Sequence, residues 1–337
     1  MTMLGTPPAD LVDATAVPRP TKLKRRLPSS GGWTAGALLV VVAVVTGVLR
    51  PATVSSMGAS LLLGPALPLV FASLAQMVII LVGDFDLGIG YAVGLVNVFT
   101  ATALTTDVWL GAALMIAMVL AYVAMGAIVE LFHVPAIVVT LGASFIWLGV
   151  GLTVQPTPGG TAAGWLETAT NGTWPVIPEP VYIMAAGALA SWWLLRRWRY
   201  GVVLRALGNN RAALENSGWS PVWTRLGAYA LAGALVDIAG LLTTSVTTSA
   251  DINASATLTL ITFAVVVVGG CRFQGGIVVP AGVVCAAVAF SLLASVLSFM
   301  NVTAAWNTAV EGLVLVAAVG AKWLIEGFRR YFRSREA

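Results

Sequence analysis

Apolar residues occupy long runs along this chain, and short polar segments separate them. A helix that crosses the hydrocarbon core of a bilayer needs about 20 apolar residues, because its backbone amides must all be satisfied within the segment. Measured against that length, the pattern predicts about ten spans, of which the third and eighth are short and are expected to be broken or re-entrant. They are 32–49, 59–82, 89–104, 109–129, 136–153, 180–195, 224–244, 257–270, 277–300 and 308–325.

The composition agrees with this pattern. Of 337 residues, 58% are hydrophobic and 9% are charged, against about 25% charged in a soluble domain. The predicted fold is therefore an all-α polytopic membrane protein, with one transmembrane domain over residues 31–326. The proline-broken, basic segment 1–30 is expected to be a disordered cytoplasmic tail, and 327–337 a basic cytoplasmic tail.

The positions of the basic residues predict the orientation. If both termini are cytoplasmic, every Lys and Arg except Arg50 falls on the cytoplasmic side, as the positive-inside rule requires. Two termini on the same side require an even number of crossings, which favours ten over nine or eleven. The net charge of +4 is thus interpreted as a topology signal, and no nucleic-acid partner is expected.

The sequence lacks the residues that several kinds of chemistry require. The two cysteines have no C-x-x-C spacing, and the single histidine, His133, cannot form a multi-histidine metal site. The chain contains no phosphate-binding glycine loop ending in Lys and Ser or Thr, no G-x-S-x-G turn and no H-E-x-x-H pair. No catalytic residue, metal or cofactor is therefore predicted in this chain, and any ATP and magnesium would belong to a partner.

The predicted cytoplasmic loop 196–223 is much longer than a connection between two helices needs to be. Its centre, 209–218, predicts a short helix with Asn209 or Asn210 as the N-cap, Gly218 as the stop and Pro221 beyond it. A short helix outside the bilayer suits docking into a groove on a soluble partner. The alternative is a solvated surface helix without a partner.

Four segments in order resemble those of one family. GNNRAA at 208–213 with Ser217-Gly218 resembles the G-G-N-E-A-A…S-G loop of sugar-type ATP-binding-cassette permeases, the ribose/xylose/galactose group. GDFDLGIG at 83–90 resembles the family's G-G-I-D-L-S-x-G, and VPAIVVTLG at 134–142 resembles its v-P-x-F-I-x-T-L-G. The glycine pairs at 269–270 and 275–276, with Gly282, resemble a further family segment, so the likeness covers roughly 57 to 325.

The resemblance implies a multi-pass protein of the bacterial inner membrane that works as a homodimer or heterodimer of permeases. It implies two ATPase subunits docked on the loop helix and an external solute-binding protein. The implied coupling residues are Arg205, Gly208, Asn209, Asn210, Arg211, Ala212, Ala213, Glu215, Ser217 and Gly218.

This chain departs from the family pattern at several positions. Asp84 replaces a glycine, Gly88 a serine and Arg211 the acidic residue of the loop. Thr259 and Ile261 stand where the family usually has Glu and Asp.

Polar residues within the apolar runs are candidates for a translocation pathway, because a neutral sugar needs hydrogen-bonding partners and a flat apolar ring. For each of them, ordinary hydrogen bonding between helices is an alternative. Asp86 is either the N-cap of the next helix or a pathway group. Asp237 is either a protonated interhelical residue or a pathway group. The candidates are Gln76, Asp86, Asn97, Thr140, Ser144, Trp147 and Asp237.

The leading functional hypothesis is the permease subunit of an importer for a small sugar or sugar-like solute, driven by separate ATPases and associated with membrane lipid. The alternative is a secondary transporter or channel that works alone and uses Asp86 and Asp237 as ion sites. An enzyme is not expected, because no set of nucleophile, base or metal ligands can be assembled.

Overall fold

The computed structural model describes residues 31–171 and 178–302, and isolated helical positions between 306 and 320. The predicted tails, 1–30 and 327–337, and most of the predicted span 308–325 lie outside the described residues. The described part contains helices and no strand, apart from one isolated bridge between Gly159 and Ala250. The all-α prediction is therefore confirmed for these residues.

Thirteen α-helices have their bounds within the continuously described ranges. They are α1 Gly31–Leu49, α2 Ser56–Leu63, α3 Ala66–Leu81, α4 Ile89–Phe99, α5 Val108–Leu131, α6 Ala136–Val154, α7 Gly164–Asn171, α8 Glu179–Arg196, α9 Arg199–Asn209, α10 Arg211–Asn216, α11 Pro221–Thr247, α12 Leu258–Val268 and α13 Pro280–Phe299. Short 3₁₀ turns precede α2 and α12, and a π-helical turn, Thr100–Leu104, extends α4.

Five of the described helices are long and apolar enough to cross a membrane: α1, α5, α6, α11 and α13. The predicted single span 59–82 is wrong in detail, since Gly64 and Pro65 divide it into α2 and α3, which are bent by 44°. Counted as one span, this pair brings the number to six. The short apolar helices ending at Leu104 and Val268 match the third and eighth predicted spans. A total of ten spans remains a prediction.

The core of the bundle is α3, whose residues are buried along its whole length. It packs against α8, α11, α12 and α13, and α11 also packs along α4 and α5. Small residues permit these close approaches: a Cβ on Gly126 of α5 would lie 2.9 Å from the ring of Tyr229 on α11. Helices that associate in lipid depend on such small residues, because lipid chains are as apolar as the helix surfaces.

Large apolar side chains cover the outer faces of α5 and α6. Ile116 and Leu120 on α5, and Phe145 and Ile146 on α6, are each about 60% exposed or more. An apolar surface of this extent is costly in water but is expected where a helix faces lipid or another membrane subunit. The exposed apolar faces of α5 and α6 are therefore those expected of a membrane protein.

The loop after α8 folds into two helices rather than one. The predicted short helix is present as α10, and α9 precedes it, which the loop sequence was not expected to form. Helix α9 is amphipathic, with Val203, Leu204 and Leu207 buried against the bundle and its arginines turned outward or half-buried. This packing fixes where α10 begins.

Candidate functional site

Helix α10 is held by its own capping residues. The Asn210 side chain accepts a hydrogen bond from the Ala213 amide at 3.1 Å, so Asn210 is the N-cap. Asn209 belongs instead to α9, where its amide group donates to the Arg205 carbonyl at 2.8 Å. Gly218 follows with φ of +80°, a left-handed conformation in which glycine has no steric penalty. The chain therefore presents a defined single helix, with the Ala212 and Ala213 side chains exposed.

A chain of ion pairs connects α10 to the membrane bundle. The Arg211 Nη2 lies 2.7 Å from Glu130 Oε1, at the end of α5. The other oxygen of Glu130 accepts a hydrogen bond from Arg225 Nη1 at 2.6 Å, at the start of α11. Arg225 Nε lies 3.1 Å from Asp84 Oδ2, in the turn between α3 and α4. Four separate segments are thus joined through alternating charges, which we call the Glu130 network.

Two members of the Glu130 network are buried or nearly buried, so the network is not confined to the protein surface. The Glu130 side chain is fully buried, and that of Arg225 is 16% exposed. Arg211 also pairs with Glu215, one turn along α10, at 3.0 Å. Partial burial lowers the pKa of Arg211, but its hydrogen bonds to Glu215 and Glu130 outweigh this effect, and the pKa is raised above its ordinary value. Arg211 therefore stays charged and keeps α10 bound to α5.

The sequence points to Arg211 and Glu215 but not to Glu130 or Arg225, which join them in the structure. Glu130 and Arg225 are single charged residues at the ends of apolar helices, and this position was a usable signal because charge at such depth is costly unless it is paired. In the sequence, Asp84 stands out only as a departure from the family pattern. Its carboxylate also accepts a hydrogen bond from the Tyr229 hydroxyl at 3.2 Å.

The turn between α3 and α4 brings two predicted pathway residues together. Asp86 is buried, and its carboxylate accepts hydrogen bonds from the Gly88 amide at 2.7 Å and the Tyr122 hydroxyl at 2.8 Å. Gly88 is the N-cap of α4, so Asp86 satisfies a free amide without being the N-cap itself. The Thr140 hydroxyl accepts from the Leu87 amide at 3.1 Å. These bonds fix the turn against α5 and α6.

Two further contacts fix α4 in the bundle. The Thr259 hydroxyl, at the position where the resembled family usually has Glu, accepts a hydrogen bond from the Gly90 amide at 3.0 Å. Asn97, another predicted pathway residue, accepts a hydrogen bond from the Thr244 hydroxyl of α11 at 2.7 Å. Both contacts are buried, so they are structural bonds between helices in this conformation.

Three predicted pathway residues carry buried polar atoms without a partner among the described residues. They are both amide atoms of Gln76, the indole nitrogen of Trp147 and one carboxylate oxygen of Asp237. Ser144, by contrast, donates to the Leu141 carbonyl at 2.6 Å. Buried polar groups nearly always bind a protein group or a water molecule. The unpartnered atoms therefore indicate where water or a polar solute would be stabilised.

A family of known permeases matches most of this chain. The family described as "Branched-chain amino acid transport system / permease component" matches residues 58–319. The chain belongs to this permease family. The matched region of the permease begins in α2 and includes the Glu130 network, α10 and the predicted pathway residues.

Individual relatives of the permease are transport proteins. It is 28% identical to the ribose import permease protein RbsC of Escherichia coli K12 over 293 residues, which cover 84% of this chain and 90% of the relative. It is 26% identical to the autoinducer 2 import system permease protein LsrC of Salmonella choleraesuis, with 85% and 84% covered. The xylose transport system permease protein XylH of Escherichia coli K12 is 24% identical, with 92% and 98% covered. No solved structure matches the permease.

These relatives confirm the predicted resemblance to sugar-type permeases. They are transport proteins, and together with the apolar helices they show a membrane permease of the ATP-binding-cassette import type.

Proposed function

We propose that this chain is the membrane-spanning subunit of an importer for a small sugar or sugar-like solute, and that separate ATPase subunits drive it from the cytoplasmic side. The observation that carries this proposal is α10, a capped and exposed helix that the Glu130 network binds to the bundle. The names of the relatives support the class of solute: two are import permeases for ribose and autoinducer 2, and one is a transport permease for xylose.

The Glu130 network supplies a route from the ATPases to the bundle. When the ATPase pair closes on ATP, movement of α10 would act on Arg211 and through it on Glu130 of α5. Because Glu130 also binds Arg225, and Arg225 binds Asp84, the same movement would reach α11 and the turn before α4. The Arg225–Glu130 contact in this route is a short, charged hydrogen bond between largely buried side chains, and such bonds are among the strongest side-chain contacts. The bundle would then alternate between outward and inward openings.

Neutral polar groups suit the proposed pathway. Gln76 and Trp147 offer amide, indole and flat apolar surfaces, and the unpartnered oxygen of Asp237 offers one acceptor. A sugar has hydroxyl groups that fit such partners without needing a charged clamp. An external solute-binding protein would deliver the solute, and a second permease copy, identical or related, would complete the pathway.

The docking of α10 can be tested with one exposed residue. Ala213→Asp places a charge on the exposed surface of α10, and removal of 209–218 deletes the helix; both should abolish ATP-driven sugar uptake by cells that carry the ATPase and binding protein. Ala52→Asp is the matched control, because Ala52 is also exposed but lies in the 3₁₀ turn before α2. Membrane insertion should be unchanged in all three. Normal uptake by the Ala213→Asp variant would contradict the proposal.

A stand-alone secondary transporter is the second candidate, favoured by the unpartnered carboxylate oxygen of Asp237. The purified chain in liposomes, given only a sugar, proton or sodium gradient, separates the two. The importer proposal predicts no accumulation of solute without the ATPase and ATP. Accumulation driven by an ion gradient alone would favour the secondary transporter.

A further inference from the structure

Two cavities meet on one side of the bundle and form a single groove. The first, of about 470 Å³, lies where α8 ends, α9 begins and α11 passes, and Trp198, Arg199 and Trp219 line it. The second, of about 250 Å³, continues between α8, α3 and α11. Both cavities are lined by Leu194 and Leu231, so they are adjoining. We call them together the α8–α11 groove.

The inner part of this groove is apolar and runs along a spanning helix. On α11 its lining extends from Gly227 to Ile238, a length of about 16 Å at the helical rise of 1.5 Å per residue. On the other side it reaches Phe71 of α3 and Ala190 of α8. Apart from Ser191, the side chains that line the second cavity are apolar or aromatic. An elongated hydrocarbon fits this part of the groove better than a polar ligand does.

Unpaired positive charge lies beside the mouth of the groove. Arg199 lines the first cavity, and Arg196 and Arg197 precede it in the turn between α8 and α9. All three are exposed, and within the described part of the chain none of them forms an ion pair. Arg205, further along α9, donates to the Leu195 carbonyl. Burial, and then repulsion from Arg196, lower the pKa of Arg205. The arginines of the Glu130 network, by contrast, are paired with carboxylates.

Aromatic rings mark this mouth as a membrane–water boundary. Trp193 and Trp198 are stacked with their ring centroids 5.7 Å apart, and both are about half exposed. Tryptophan concentrates at the level of the lipid head groups, because its ring is apolar and its N–H is polar. The charge therefore lies at head-group level, and the apolar part of the groove extends into the hydrocarbon.

We propose that the α8–α11 groove binds one anionic phospholipid, with the phosphate on Arg196 and Arg199 and an acyl chain along α11. Basic pockets between spanning helices are suited to anionic head groups. An acidic soluble partner would neutralise the arginines but would leave the apolar part of the groove empty. A lipid satisfies both halves, and it would support the junction from which α9 and α10 extend.

Lipid retention by the purified full-length chain tests this proposal. The chain is exchanged into detergent containing equal amounts of phosphatidylglycerol and phosphatidylcholine, and bound lipid is measured by native mass spectrometry. We expect phosphatidylglycerol to be retained preferentially. The double variant Arg196→Gln, Arg199→Gln should weaken its binding by about thirtyfold, since each basic residue near an anionic head group contributes a factor of about five. Arg272→Gln, an exposed arginine away from the groove, should not change it.

A second variant tests the apolar half without altering charge. Ala190→Phe fills the groove from the α8 side and should reduce retention of the lipid, whereas Ala117→Phe, on the exposed face of α5, should not. Equal retention of the two lipids, or retention unchanged in both groove variants, would overturn the proposal. So would self-association of the chain that Ala190→Phe abolishes while lipid binding persists, because the groove would then be a subunit interface. The measurement requires neither ATPase nor transport, so it does not depend on the proposed function.

Discussion

The guanidinium of Arg211 lies 2.7 Å from the carboxylate of Glu130, and this contact joins α10 to the end of α5. The Glu130 side chain is fully buried, whereas that of Arg211 is 45% exposed. One partner is thus fixed in the bundle and the other sits on the surface where an ATPase would dock. The loop segment resembles that of sugar-type permeases, which have an acidic residue where this chain has Arg211. The pair with Glu130 therefore depends on a residue at which this chain departs from the family pattern.

Reversing the charge of Arg211 should uncouple transport. Arg211→Glu places a second carboxylate beside Glu130, and we expect ATP-driven uptake to fall about tenfold or more because like charges this close repel. The cost to the free energy of unfolding should be only about 1 kcal/mol, since Arg211 is half exposed and solvent screens it. Arg211→Lys keeps the charge and should retain most of the uptake. Equal uptake by the wild type and the Arg211→Glu variant would argue against the network as the route.

The two carboxylates that bind Arg211 should differ sharply in their contribution to stability. Glu130→Ala leaves the nearly buried Arg225 with Asp84 alone, and should lower the free energy of unfolding by about 3 kcal/mol. Glu215→Ala removes a half-exposed i,i+4 pair, and should lower it by about 0.5 kcal/mol or less. Thermal unfolding of both variants in the same detergent measures the difference. Similar midpoints would mean that Glu130 does not bear the buried charge that the structure assigns to it.

Removal of the Tyr122 hydroxyl should destabilise the turn before α4. Tyr122→Phe leaves a buried oxygen of Asp86 without its donor, and should cost about 1–3 kcal/mol. Tyr91→Phe, on α4 and only partly buried, is the matched control and should cost less. Thermal unfolding measures both, and a Tyr122→Phe variant as stable as wild type would show that Asp86 finds another donor.

Two glycines on spanning helices should respond to alanine with opposite signs. At Gly240 of α11 a Cβ would overlap Val96 of α4, so Gly240→Ala should destabilise the fold by about 1–3 kcal/mol. At Gly142 of α6 no heavy atom lies within 4 Å of the Cβ position. Gly142→Ala should therefore stabilise by up to about 1 kcal/mol, through helix propensity alone. Equal shifts of the unfolding midpoint would mean that α4 and α11 are not in close contact.

The capping of α10 should be visible in amide hydrogen exchange. Asn210→Ala removes the acceptor of the Ala213 amide and should destabilise α10 by about 1 kcal/mol, so exchange of 211–216 should accelerate several-fold. Asn216→Ala, at the other end of the same helix, should leave exchange nearly unchanged. If exchange accelerated only in the Asn216→Ala variant, Asn210 would not be the residue that caps and stabilises α10.

Much of the helical architecture could be predicted from the order of residues. The predicted spans 32–49, 109–129 and 136–153 correspond to α1, α5 and α6 within two residues at each end. The signal is strong because a spanning helix must satisfy its own amides and so must be long and apolar. The loop helix was predictable for a similarly local reason, since Asn210 and Gly218 define its ends.

Other features depended on contacts between distant parts of the chain. Gly64 and Pro65 are helix-breaking residues, but the long apolar run around them predicted one continuous span. The apolar runs in α9 are too short to predict a helix by themselves, and the helix is stabilised by the burial of Val203 and Leu207 against the bundle. The Glu130 network also joins residues that are distant in the sequence, since Glu130 and Arg225 are 95 positions apart.

The sequence by itself determined that this chain is a bundle of apolar helices with a short capped helix in a basic loop, and its motifs determined the family. These properties follow from length, local hydrogen bonding and residue type. The tertiary structure decided which charges are paired: it gave Arg211 and Arg225 a buried carboxylate, and left Arg196, Arg197 and Arg199 without an ion pair among the described residues. Pairing depends on distances in space, and only the packing of the helices sets those distances.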